Sequence, residues 1–478
     1  MGDAVYKGEP IAMLHNVYSA AHYHLNLAIF KSHDTISTTE KPPVDPGDPQ
    51  LENGLCQTSS VFGPAAAQPD TSYPEGGRAA TVVLLGSFCA LAGGLGLMNS
   101  MGVYAAWIGS HQLAATASPG RVAWIFGLYN FAVFFCGLQV GPVFDARGPR
   151  GLMAAALLLY AAAFAALGFC RAYWHFVLIV GLVAGIATSI VFVVPVATIG
   201  QYYRRRRAAA TGLALSGGSL GGVVFPLLFT HLCERFGFAW ATRVIGAVTV
   251  VLLLVGCVTV RRRDVFADAP GTAGRSLLPD LRVLLRLPVL LMTAGVFFIE
   301  WGFFIGLEYV ASYALAHGAG RKLSNLMIVF LNAGSFFGRW LPGILADRFG
   351  RLNTMILTNF LCIAAMFGIW LPAQDSVAAI ILFSVVFGFA SGSNISLVPV
   401  CVGEYCTTDN YGRYYTTVYT VVSFGALTGV PIAGQILQSS GGSYTGLIIF
   451  AGAAYVAGTA CFSAIWVINR VRYQAGKA

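Results

Sequence analysis

Residues Tyr414–Asn469 run without one charged side chain. About 20 apolar residues in a helix cross the hydrocarbon core of a bilayer, at about 1.5 Å per residue. The stretch is therefore long enough for two crossings, and SSGGSYTG at 439–446 divides it. Long uncharged runs recur along the chain. Charged residues make up 10% of it and hydrophobic ones 56%, against roughly 25% and 45–50% in a soluble domain. So few charges cannot cover a surface facing water, which excludes a soluble enzyme, and so much apolar side chain excludes disorder throughout. Lipid is the solvent that this composition fits.

Counting between charges sets the spans. Helix 1 starts at Ala79, in a run that meets no charge before Arg121. Val122–Phe144, Gly151–Cys170, Ala172–Tyr203, Ala208–Cys233 and Phe236–Val260 follow as helices 2 to 6. After a polar break come Leu287–His317, Leu323–Ala346, Leu352–Gln374 and Ser376–Gly403, then the two helices of the last run. The expected fold is all-α: a polytopic membrane protein with twelve transmembrane helices in two six-helix bundles, residues 79–260 and 287–470.

Residues 261–286, with six Arg and three Asp, are the expected linker. Residues 1–78 hold eight of the 20 prolines, four Lys/Arg and nine Asp/Glu, and read as a disordered acidic tail. Met13–Phe30 is mildly apolar but carries His15, Asn16, His22 and His24 and lacks a basic leader, so it is not read as a signal peptide. Neither these histidines nor the ten cysteines, which form no CxxC, suggest a metal site, and no cofactor is expected. The net charge of +9 sits in short loops between apolar runs and is not read as nucleic-acid binding. The loops after even-numbered helices and the carboxyl tail, 471–478 with Arg470 just before it, hold eighteen Lys/Arg against five in the other loops. That bias puts both termini in the cytosol.

One pattern occurs twice. Gly141-Pro-Val-Phe-Asp145-Ala-Arg147-Gly148-Pro-Arg150 follows helix 2, and Gly343-Ile-Leu-Ala-Asp347-Arg348-Phe-Gly350-Arg351 follows helix 8. Both read G-x-x-x-D-x-x-G with Arg beyond, and the aspartates are 202 positions apart. The duplication resembles the major facilitator superfamily, whose halves rock around a central site. Asp145, Arg147, Arg150, Asp347, Arg348 and Arg351 are then expected to brace a cytosolic gate through ion pairs across the bundle's cytosolic side. Glu75-Gly76-Gly77, the run Tyr202-Tyr203-Arg204-Arg205-Arg206-Arg207 followed by Gly212-Leu-Ala214-Leu-Ser216-Gly217, and Gly429-Val-Pro431-Ile-Ala-Gly434 are similar to patterns of the monocarboxylate transporter-like family. Trp107-Ile108-Gly109 and Gly338-Arg339 resemble its fungal branch, and the likeness covers residues 75–470.

Ionisable groups inside a bilayer are costly, so they are functional candidates by default. Glu300 lies about 20 Å along helix 7 from its cytosolic end, and Glu308 about 12 Å further. Both are candidate proton-coupling groups, with a structural ion pair the alternative for Glu300 and a solvated outer rim for Glu308. Asn332, Ser335 and Arg339 are spaced i, i+3, i+7, so they share one face of helix 8, where Arg339 could grip a carboxylate with its guanidinium fork. The alternative pairs Arg339 with a gate carboxylate. The family resemblance implies the substrate-binding role for Arg339; Ser335 stands where the family carries an acid, and Asn99 where it carries a Lys. Asn99, Tyr104, Asn130 and Asn394 complete the candidate substrate-binding set, though each also fits plain helix–helix hydrogen bonding, as do Ser391 and Ser393. Arg243 is expected to snorkel to the interface. The Gly-rich run Ser216–Gly222 is expected to serve close helix packing.

The expected function is secondary active transport by alternating access of a small organic anion such as a monocarboxylate, coupled to protons. Efflux of a fungal secondary metabolite is the alternative, and a non-transporting nutrient sensor a further one. No P-loop offers ATP coupling, and no catalytic constellation suggests an enzyme. The expected partners are a small-molecule substrate and the lipid bilayer, with the chain a monomer in the plasma membrane.

Overall fold

The computed structural model describes residues 73–263 and 278–475, all within the unit Pro64–Ala478. Most of the acidic tail with its histidines, the middle of the linker and the last three residues lie outside the described residues. Among the described residues, twelve helices are long and apolar enough to cross a membrane. They are α1 (Gly77–Ser110), α2 (Gly120–Arg147), α3 (Pro149–Leu167), α4 (Tyr173–Tyr202), α5 (Arg207–Phe236) and α6 (Phe238–Thr259). The second half holds α7 (Leu287–Ala316), α8 (Arg321–Phe349), α9 (Arg351–Trp370), α10 (Val377–Val402), α11 (Thr408–Ser439) and α12 (Thr445–Arg472). No strand occurs among the described residues.

Boundaries set by charge are a few residues short at several ends. The helices run through terminal charges such as Asp347 and Arg348 and stop at glycines instead. Gly148 (φ 77°), Gly237 (φ 77°) and Gly350 (φ 97°) end α2, α5 and α8 in the left-handed region that a Cβ disfavours. Gly148 and Gly350 are the last glycines of the duplicated pattern, so the pattern encodes a helix stop. The start of α1 is a second correction. Glu75–Arg78, assigned to the tail, belong to the bundle: helix begins at Gly77. The Glu75 carboxylate accepts from the backbone N–H groups of Arg204 (2.8 Å), Arg205 (2.6 Å) and Arg206 (3.1 Å), pinning the α4–α5 loop beside the start of α1. The acidic-Gly-Gly opening and the basic run are thus two sides of one contact.

Within each half the helices pack as a bundle, and the halves meet mainly along α5–α8 and α2–α11. Large apolar side chains also face outward: Leu158, Val251, Leu357 and Leu382 are all exposed. On a protein in water such a belt would be a liability; against lipid tails it costs nothing. Arg243 lies over the rings of Phe169 and Trp240, both at 5.2 Å, at the loop end of α6, as expected of a snorkelling side chain.

The two half–half seams repeat one contact. Asp145, near the end of α2, accepts from the N–H groups of Gly412 (3.1 Å) and Arg413 (2.9 Å) at the start of α11. Asp347, near the end of α8, accepts from those of Ala208 (3.1 Å) and Ala209 (2.9 Å) at the start of α5. A carboxylate here satisfies orphan donors and faces the positive end of the helix dipole. The first glycine of each pattern makes the approach possible. A Cβ on Gly141 would lie 2.5 Å from the carbonyl oxygen of Gly412, and one on Gly343 2.5 Å from that of Ala208.

The expected gate gains a contact that the sequence did not suggest. The aspartates bind backbone of the opposite half, while Arg147, Arg150 and Arg348 are exposed. Of the arginines, Arg351 joins the seam: it donates to the Arg204 carbonyl (3.0 Å) and pairs with Glu404 at 3.4 Å. Charge-assisted hydrogen bonds contribute about 1.5–3 kcal/mol each. Asp145→Ala is therefore expected to speed amide exchange at Gly412 and Arg413 by roughly tenfold or more, and Asp347→Ala to do so at Ala208 and Ala209. Hydrogen-exchange mass spectrometry on the purified protein checks both; unchanged protection at those peptides would leave the aspartates without this role.

Candidate functional site

Between the halves lies a narrow, largely apolar cavity. Leu95, Met98, Asn99, Phe134, Phe192, Glu300, Phe303, Arg339, Ile395 and Tyr419 line it. Of the seven helices that meet here, α2, α4, α10 and α11 bring only apolar or aromatic side chains; the charges come from α7 and α8.

Arg339 is 1% exposed. Its Nη1 donates to the Leu215 carbonyl on α5 (2.8 Å) and its Nε to Ser335 Oγ one turn earlier (3.3 Å). Ser219 Oγ on α5 in turn donates to Ser335 Oγ at 3.1 Å. A Cβ on Gly218 would sit 2.9 Å from Arg339 Nη1, so the Gly-rich run makes room for the guanidinium. Glu300 is 4% exposed, and its Oε2 is enclosed without a hydrogen-bond partner. Tyr419 lies within electrostatic reach of both Glu300 and Arg339. The structure therefore places one fixed cation and one unpaired carboxyl on the same cavity. A buried carboxyl with no partner is held at a cost that a bound proton or a bound ligand removes.

Asn99 is the third polar lining residue. It sits where α1 breaks, between Met98 and Met101. Ser100 Oγ takes the Gly96 carbonyl (2.6 Å), its N–H shifts to Leu97 (3.0 Å), and the Asn99 amide donates to the Gly218 carbonyl on α5 (3.0 Å). These side-chain bonds compete with the helical ladder and interrupt it beside the cavity. Broken helices mark substrate sites in membrane carriers.

The other candidates do not line the cavity. Tyr104 stacks on Phe229 with centroids 4.0 Å apart and faces a separate apolar cleft inside the first half. Five residues at about 100° each carry it roughly 140° round from Asn99. Asn394 lies beside Cys362 and Tyr455 within the second half, because its neighbour Ile395 takes the cavity face. Asn130 is buried one turn from Phe134, with Oδ1 unpartnered. Asn332 donates to the Ile328 carbonyl (2.9 Å) and is packed against Gly222 of α5. With Ser335 it shares the face of Arg339, as its spacing predicted, but that face is pressed on α5, so only Arg339 reaches the cavity. Glu308 is half-buried next to Gly102 of α1, about 12 Å along α7 from Glu300, a junction between helices and not an open rim. Phe134, Phe192, Phe303 and Tyr419 were invisible in the sequence as site residues, since aromatic side chains abound throughout the spans.

A sequence profile of the Major Facilitator Superfamily matches residues 83–429 and 341–477. The chain is 33% identical over 410 residues to the riboflavin transporter MCH5 of Saccharomyces cerevisiae, covering 82% of this chain and 78% of that one. It is 32% identical over 429 residues to the fujikurins efflux protein of Gibberella fujikuroi, 89% and 90% of the two chains. It is 31% identical over 409 residues to the aspyridones efflux protein apdF of Emericella nidulans, 85% and 81%. In three dimensions it is similar to the transporter FucP in its outward conformation, with a TM-score of 0.62 at 14% identity, over 81% of this chain and 99% of that one. It is also similar to the human organic anion transporter MFSD10, with a TM-score of 0.58 at 17% identity, over 80% and 99%. With twelve membrane-length helices, a duplicated half and a polar centre between the halves, the chain belongs to the Major Facilitator Superfamily and is a membrane transporter, not an enzyme.

Proposed function

We propose that this transporter carries a small organic anion by alternating access and couples it to protons. Arg339 grips the anionic group, and Glu300 takes up and releases the coupling proton. The observation that carries the proposal is the placement of one buried guanidinium and one unpartnered carboxyl on a single cavity between the halves. Rocking about that cavity exposes it to one face at a time, and the Asp145 and Asp347 seams hold the face bearing the chain ends shut until they part. The Lys/Arg bias supports cytosolic termini. A cavity assembled within one chain supports a functional monomer.

Reconstitution into liposomes with an imposed pH gradient tests this. Labelled carboxylates are expected to accumulate when the gradient points inward and to reach only equilibrium when it is collapsed. Equal uptake under both conditions overturns the coupling; no saturable uptake of any carboxylate overturns the substrate class. Export of a secondary metabolite is the second reading, favoured by the likeness to the fujikurins and aspyridones efflux proteins. Expression in a metabolite-loaded fungal cell separates the two: an exporter lowers the cell content, an importer raises it.

A further inference from the structure

The cavity is more aromatic than an anion alone requires. Phe134 of α2, Phe192 of α4 and Tyr419 of α11 meet at its edge, with centroids 5.8 Å apart for Phe134–Phe192, 5.3 Å for Phe134–Tyr419 and 5.4 Å for Phe192–Tyr419. The planes are at 73°, 31° and 79°, so no two of the three stack flat and saturate each other. Three helices from both halves contribute, so the cluster must rearrange whenever the halves rock. Two further rings continue it. Tyr415 and Tyr411 follow Tyr419 at helical spacing, 5.0 Å and 5.8 Å from ring to ring, toward the Asp145 end, where Arg207 covers Tyr411 at 4.0 Å.

The hydroxyls give a second, independent sign. Tyr411 donates to the Pro399 carbonyl (2.9 Å), but the hydroxyls of Tyr415 and Tyr419 are enclosed and unpartnered. Of the two, Tyr419 lines the cavity, so its buried hydroxyl is a donor that a ligand there can meet. A short aliphatic acid fits Arg339 but offers nothing to the rings or the hydroxyls. A flat conjugated ring bearing oxygen or nitrogen offers both: a face for stacking and acceptors for the phenols.

From this we infer that the transported anion carries a planar conjugated ring beside its acidic group, and that Phe134, Phe192 and Tyr419 select it by stacking. The inference rests on reading the cavity as the transport site. Arg339 holds the acid while the ring lies among the three aromatic side chains. Tyr415 and Tyr411 then line the path by which it passes the seam between α2 and α11.

The test uses the full chain in proteoliposomes and three probes: naphthoate, decahydronaphthoate of the same carbon skeleton, and the uncharged naphthamide. Naphthoate is expected to have a KM roughly tenfold or more below that of the saturated acid. Phe192→Leu, which keeps apolar bulk and removes the ring, is expected to bring the ratio near one, and Tyr419→Leu, which removes the ring of the other half, to lower it in the same direction. Equal KM values for the two acids in the unmodified chain overturn the inference, as does an undiminished ratio in Phe192→Leu, and both leave anion transport standing. Carriage of naphthamide as well as naphthoate overturns the anion reading and supports the ring. Failure of all three probes overturns both.

Discussion

Arg339→Ala is expected to lower kcat/KM for an anionic substrate by about 100- to 1,000-fold, which corresponds to the loss of two charge-assisted hydrogen bonds worth about 3–4 kcal/mol. The guanidinium is held in place before any substrate arrives: Leu215 and Ser335 hold two of its nitrogens, and Gly218 leaves the space it fills. Such preorganisation means that little ordering cost is charged to binding. Arg339→Lys keeps the charge but not the planar fork and is expected to fall between, at about 10- to 100-fold. Uptake kinetics in liposomes measure both. Thermal unfolding of the purified variants separates a binding defect from a folding one, because the alanine removes a buried charge from the α5–α8 seam and need not destabilise it. Unchanged affinity in a well-folded Arg339→Ala protein would overturn the anion grip.

Glu300→Gln is expected to leave substrate exchange running and to abolish accumulation against a gradient. Glutamine keeps the volume and polarity of the side chain but cannot release or bind a proton. A carrier whose coupling carboxyl is fixed in a neutral form still swaps internal for external substrate, so counterflow survives. Net uptake then settles at a concentration ratio of about one, and the imposed pH difference no longer matters. Tyr415, Tyr419 and Tyr455 all lie within electrostatic reach of Glu300, so the change is felt across α11 and α12. Counterflow and gradient-driven uptake measured side by side decide the matter. Persistent accumulation in Glu300→Gln would remove the proton role and leave Glu300 as a structural group.

Much of the fold was legible in the chain. The span count came from the distances between charges, and the duplication from one pattern written twice. Its meaning was only partly legible. Asp145 and Asp347 read as partners for arginines, because opposite charges are the obvious match in a sequence. Each also binds backbone donors at a helix start on the opposite half, a partner that the sequence does not name until the fold brings it near. Of the polar residues picked out inside spans, Glu300, Arg339 and Asn99 share the cavity, while Tyr104 and Asn394 face elsewhere. Asn332 and Ser335 were on the right face of α8, and the structure shows that this face packs on α5.

The sequence alone determined that twelve helices cross in two repeated sixes, since hydropathy and charge spacing are properties of each segment against its solvent and need no neighbour. Only the tertiary structure decided which side chains look at one another. A residue's facing depends on the rotation of its helix, on a break such as that at Asn99, and on which helix of the other half it meets. The aromatic cluster of Phe134, Phe192 and Tyr419 belongs wholly to this second kind: its members are far apart in the chain and alike in character, and only packing makes them a site.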